Sequence, residues 1–176
     1  MTRSDPRFDP LARLLHWLMA ALILAMLFIG VGMVSTVSER YAMLVAIHRP
    51  LGVAILCLAA LRLANRLRKP APPLPADLPA WQGFAARASH WLLYGLMLGL
   101  PLIGWAMQSA GQVPVVLYGQ LALPAILPAS PGLHAALRSA HQLLAYGLFL
   151  LVLLHLGAAL MHRLLRRDGV FRSMAP

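Results

Sequence analysis

The feature that most constrains this chain is a run over residues 14–34, about 21 positions of membrane-crossing length, in which His16 is the one strongly polar side chain. A backbone placed in lipid must satisfy its own N–H and C=O groups, so such a segment folds as a helix across a bilayer. Arg3, Arg7 and Arg13 precede it as they would in a secretory signal, but the run is too long for one and reads as a retained first span. Residues 41–61, 90–107 and 141–161 repeat the pattern. The expectation is an all-α membrane protein, a four-helix transmembrane bundle forming one domain over residues 1–176. In the second span the apolar run is broken by His48, Arg49 and Pro50, which places these residues near one membrane face with Pro50 in a first helical turn.

The links are short. Residues 35–40 join the first two spans, KPAPPLPADLP at 69–79 reads as an extended polyproline tether, and the uncharged, largely apolar stretch 108–132 should lie along the interface. An apolar share of 60% with only 11% charged residues excludes both disorder and an ordinary soluble globule. In that setting the net charge of +10 is a topological signal rather than a nucleic-acid footprint. Arg3, Arg7, Arg13, Arg62, Arg66, Arg68, Lys69, Arg87, Arg163, Arg166, Arg167 and Arg172 all fall on one side, against Arg40, Arg49 and Arg138 on the other. The positive-inside bias therefore puts both termini in the cytoplasm of a multi-pass inner-membrane protein.

Cys57 is the single cysteine, so an intramolecular disulfide, a CxxC metal pair and a CxxCH attachment are absent from the sequence. Asp5, Asp9, Asp77 and Asp168 lie on the cytoplasmic side and Glu39 near the outer face. No carboxylate remains inside a span for a transmembrane proton relay, which argues against a proton pump.

Seven histidines remain, and a histidine in lipid is either bonded to a neighbouring helix or functional. His141 and His155 are 14 residues apart. That spacing is within about 40° of whole turns and about 21 Å along a helix axis, so both rings face one way. With the termini inside, His16 is level with His155 near the cytoplasmic face, and His48 with His141 near the outer face. Two cross-bundle pairs result. Two imidazoles without Cys, Asp or Glu are too few for zinc, which takes four donors, but they suit haem, whose porphyrin supplies four nitrogens and leaves two axial positions. Four residues after these histidines stand Ala20, Gly52, Ala145 and Ala159, all small enough to leave space for a macrocycle.

LLHWL at 14–18, IHRPLG at 47–52, SHWLLYGLMLGLPLIGW at 89–105 and AHQLLAYGLFLLVLLHLGAALMH at 140–162 resemble the bacterial cytochrome b561 family. The resemblance covers nearly the whole chain. It implies two haem b groups, one held by His16 and His155 on the cytoplasmic side and one by His48 and His141 on the periplasmic side. It also implies a superoxide oxidase-like activity, in which superoxide reduces the outer haem and ubiquinone is reduced at the inner one. A basic rim suits an anionic substrate: Arg49 follows His48 and Arg138 lies one turn before His141, where they would draw in superoxide or hold propionates. His162, two turns beyond His155, with Arg62, Arg66 and Arg163 near it, would meet the quinone head group. His90 is left without a pairing role and is expected to make a structural or propionate contact; His134 is expected in the outer loop, exposed or beside the outer haem. Cys57 should pack, and Trp17, Trp81, Trp91 and Trp105 should anchor at the interfaces. The alternatives are an electron-transfer subunit linking a periplasmic redox protein to the quinone pool, and a non-redox membrane scaffold or small transporter.

Overall fold

A computed structural model describes residues 7–117, 119 and 121–175; Arg3 and Asp5 lie outside the described residues. Four long helices, α1 (Pro10–Ser35), α2 (Glu39–Arg68), α3 (Ala80–Ala110) and α4 (Pro131–Met161), are each long and apolar enough to cross a membrane. They are joined by a two-stranded antiparallel ribbon, β1 (Val116–Leu117) and β2 (Leu121–Ala122), between α3 and α4, and are followed by a π-helical turn (His162–Arg166) and a short helix α5 (Val170–Met174).

Each helix begins before its apolar run, and in α1, α2 and α4 the start is set by a side-chain cap rather than by the edge of hydrophobicity. Asp9 accepts from the N–H groups of Leu11 (3.1 Å) and Ala12 (3.3 Å), with Pro10 at the first helical position. Ser38 caps α2, and Ser130 with Pro131 caps α4. The early start of α2 corrects the placement of Pro50. With Glu39 as the first residue, Pro50 sits in the helix interior rather than in its first turn, a position that membrane helices tolerate when neighbours re-satisfy the freed carbonyl.

The helices run up and down, with α1 packed on α2, α2 on α3 and α3 on α4. The buried core lies at mid-height: Met19 and Ile23 of α1, Ile55 and Ala59 of α2, Tyr94, Met97 and Leu100 of α3, and Leu148 of α4. From α4 only Leu148 is buried, and it stands midway between His141 and His155. The outer surface is apolar, with Phe28, Leu143 and Leu165 each at least 71% exposed, as expected of helices solvated by lipid tails. Cys57 is on this exposed side, which corrects its expected packing role.

The link 108–132 does not simply lie along an interface. Trp105 Nε1 donates to the Pro124 carbonyl (2.9 Å) and the Ile126 N–H to Ser109 Oγ (3.1 Å), so the ribbon is folded back over the end of α3 with Val115 buried beneath it. At the opposite end of the bundle the two termini meet. The Phe8 N–H donates to Ser173 O (3.0 Å), Arg13 Nη1 to Ala175 O (3.1 Å) and Trp17 Nε1 to Met174 O (2.9 Å). Trp17 is thus a clasp for α5 as well as an interfacial ring.

Candidate functional site

The four span histidines form two facing pairs. The ring centroids of His16 (α1) and His155 (α4) are 6.2 Å apart, and those of His48 (α2) and His141 (α4) are also 6.2 Å apart, with the ring planes inclined by 65° and 67°. A histidine nitrogen ligates a metal at about 2 Å, and each ring centroid lies roughly 1 Å behind that nitrogen, so one metal between two imidazoles sets the centroids about 6 Å apart. Both pairs match that separation. Both rest on α4, a little over two-fifths of its length apart, because 14 residues of helix bring the two side chains round to one face.

The surroundings suit a large acidic ligand. His48 Nδ1 and His141 Nδ1 are buried and have no hydrogen-bond partner among the described residues. A buried unpaired nitrogen is costly, so such rings are expected to have another interaction. A Cβ at Gly104 of α3 would stand 3.4 Å from His141 Cε1, so this glycine gives the ring its room. Arginine donors flank both pairs. At the first, Arg13 Nε, Arg62 Nη1 and Arg66 Nη1 are buried and unpartnered; at the second, Arg49 Nε is. Guanidinium N–H groups left in this state match carboxylates, and a haem carries two. Among the described residues no cluster of three or more His, Cys, Asp or Glu is placed to hold a bare metal ion, and the paired imidazoles are the donor set that would fit haem.

The remaining candidates are placed as follows. Arg49 Nη2 donates to Gln108 Oε1 (3.1 Å), tying α2 to α3 beside His48, whereas Arg138 is exposed on α4. Arg62 Nε donates to Tyr94 Oη (3.2 Å), with the guanidinium 6.0 Å from that ring's centroid. His90 brings its ring centroid to 5.5 Å from that of His155, making a third imidazole at this end. His162 donates from Nδ1 to Asp168 Oδ2 (2.6 Å). His134, expected in the outer loop, instead stands in the first turn of α4 and is half-buried: its Nδ1 donates to the Met107 carbonyl (2.9 Å), closing the C-terminal end of α3. A Cβ at Gly111 would come within 2.6 Å of that nitrogen.

Sequence reasoning missed three partners: Tyr94 for Arg62, Gln108 for Arg49 and Asp168 for His162. Only the last had a local signal, the Asp168-Gly169 turn pair six residues beyond the histidine. Burial alone would raise the Asp168 carboxyl, but the hydrogen bonds from His162, Arg166 and the Val170 N–H outweigh it and hold the group below the usual carboxylate range.

Comparison with known proteins shows the family. The family described as prokaryotic cytochrome b561 matches residues 7–176, a span that includes all four paired histidines. The chain belongs to the prokaryotic cytochrome b561 family. It is 29% identical to cytochrome b561 homolog 2 of Escherichia coli K12, over 98% of this chain and 93% of the relative. Cytochrome b561 homolog 1 of the same strain is 28% identical over 97% of each chain. The probable superoxide oxidase CybB of Yersinia pestis is 34% identical over 74% of this chain and 73% of the relative. As a cytochrome b561 family member the chain is a multi-pass membrane electron-transfer protein of a family that binds haem b.

Proposed function

We propose that this cytochrome b561 oxidises superoxide at the periplasmic face of the bacterial inner membrane and reduces ubiquinone at the cytoplasmic face. The observation that carries the reading is the pair of 6.2 Å histidine couples spaced 14 residues apart along α4. It is supported by the 34% identity to a probable superoxide oxidase. His16 and His155 would hold one haem b, and His48 and His141 the other; when bound, these groups would supply a one-electron path across the membrane.

The protein's own residues account for the rest. Facing imidazoles are neutral ligands and add no charge to the apolar interior. Arg49, fixed by Gln108, and the exposed Arg138 make the outer mouth cationic, which raises the encounter rate of a small anion and weakens as salt rises. At the inner end Arg62 and His162 would position the quinone, His162 donating a hydrogen bond to a carbonyl and passing on a proton. Two superoxide anions give two molecules of dioxygen, and one quinone takes up the two electrons and two protons. With Asp9, Asp77 and Asp168 all at the end where the termini meet and both termini cytoplasmic, those protons come from inside, so turnover is electrogenic.

Stopped-flow mixing of the purified haem-loaded protein with superoxide tests this. Reduction should be far faster than in the His48→Ala variant, with quinol formed at half the rate of superoxide loss. Equal rates in the two proteins would remove the superoxide reading and leave a relay for a periplasmic redox protein.

A further inference from the structure

We infer that the chain end beyond α4 forms a binding site for the phosphate of an anionic phospholipid. The π-helical turn His162–Arg166 is followed by two residues in left-handed conformation, Arg167 (φ 53°) and Gly169 (φ 83°), which reverse the chain so that α5 folds back on the turn. The reversal frames an open cavity of about 430 Å³, lined by Arg163, Arg167, Arg172, His162, Leu164 and Phe171 among others.

Its charge is uncompensated. The carboxylates of this region are engaged elsewhere: Asp168 by His162 Nδ1 (2.6 Å) and Arg166 Nε (3.0 Å), and Asp77 by Arg166 Nη2 (2.7 Å). Among the described residues no carboxylate lies within ion-pair distance of Arg163, Arg167 or Arg172. Two of the three are nonetheless held in place. Arg163 lies 5.6 Å from the centroid of the Phe171 ring, and Arg167 Nε donates to the Leu164 carbonyl (3.2 Å). Three guanidinium groups round one cavity offer more donors than one carboxylate can use, and they match the oxygens of a phosphate.

The apolar side selects lipid over a soluble anion. Leu164 and Leu165 are 60% and 79% exposed at the end of a membrane-spanning helix, level with the cavity. A glycerophosphate head seated among the arginines would lay its acyl chains along these leucines. A basic pocket at a helix end, at head-group depth, is the setting in which anionic lipids are recognised. The cavity shares His162 with the proposed quinone position, so the test must separate the two ligands.

The test uses the haem-loaded, delipidated protein, with native mass spectrometry after incubation in micelles containing phosphatidylcholine or phosphatidylglycerol. Phosphatidylglycerol should be retained and phosphatidylcholine not. A variant carrying Arg163→Gln, Arg167→Gln and Arg172→Gln should retain it at least tenfold less, with an unchanged haem spectrum reporting the fold; Arg68→Gln, an exposed arginine outside the cavity, should behave as the parent. Inorganic phosphate should not displace the lipid. Equal retention by parent and triple variant overturns the site. Displacement by inorganic phosphate assigns it to a soluble anion and overturns the lipid. A triple variant that raises the KM for quinone while keeping its lipid overturns the assignment in favour of a quinone pocket.

Discussion

At the level of single residues, everything turns on four imidazoles and the groups that hold them. His16→Ala and His155→Ala should each remove the same haem, and His48→Ala and His141→Ala the other, seen as loss of half the haem content with a different residual spectrum for each pair. Identical spectra in all four variants would defeat the pairing. Gly104→Ala puts a methyl group 3.4 Å from His141 Cε1, so that ring must yield by a few tenths of an ångström. A redox titration should show the midpoint of the His48/His141 centre moving while that of the His16/His155 centre stays. Gly111→Ala drives a methyl into His134 Nδ1 and should break its bond to the Met107 carbonyl. The Met107 carbonyl keeps its bond from the Gly111 N–H (3.0 Å), but the part-buried His134 Nδ1–H loses its acceptor, which costs about 1–3 kcal/mol, readable as a lower thermal midpoint with ligand spectra intact.

At the level of elements, α4 is a ruler and α5 a latch. The spacing of two histidines along α4 fixes both sites, so inserting one alanine between Leu148 and Phe149 would rotate one ring by about 100° and should cost one haem. The latch depends on Asp168, whose carboxyl is held below its ordinary value of 3.8 by its bonds despite burial. A carboxylate with a lowered pKa in the folded chain contributes stability that is fully present above the ordinary value and is lost as pH falls through the lowered one. The chain end should therefore stay resistant to proteolysis down to the usual carboxylate range and open only in stronger acid. Asp168→Asn removes the charge from three hydrogen bonds and should weaken the latch by about 1.5–3 kcal/mol at neutral pH, measured as faster cleavage between α4 and α5.

For the whole molecule, a ligand that binds only the native state stabilises it by mass action, so haem held between the helices should add to the folding free energy. Protein made without haem should melt at a lower temperature than the loaded form. The topology is tested by reporter fusions: a C-terminal fusion should be active only as a cytoplasmic reporter and one inserted at Gly119 only as a periplasmic one. The four helices were legible in the sequence because lipid leaves a backbone no other way to satisfy itself, and the histidine pairing because 3.6-residue periodicity turns a spacing of 14 into a shared face. Their caps were less legible, since Asp9, Ser38 and Ser130 look like any loop polar residue until the helix start is known. What only the tertiary structure decided is the partnering of distant side chains: Arg49 with Gln108, Arg62 with Tyr94, His134 with the Met107 carbonyl, and the N-terminal segment with α5. Periodicity sets the direction of a side chain on its own helix. Which group it meets depends on how neighbouring helices are offset and rotated, and that is settled by packing over the whole bundle.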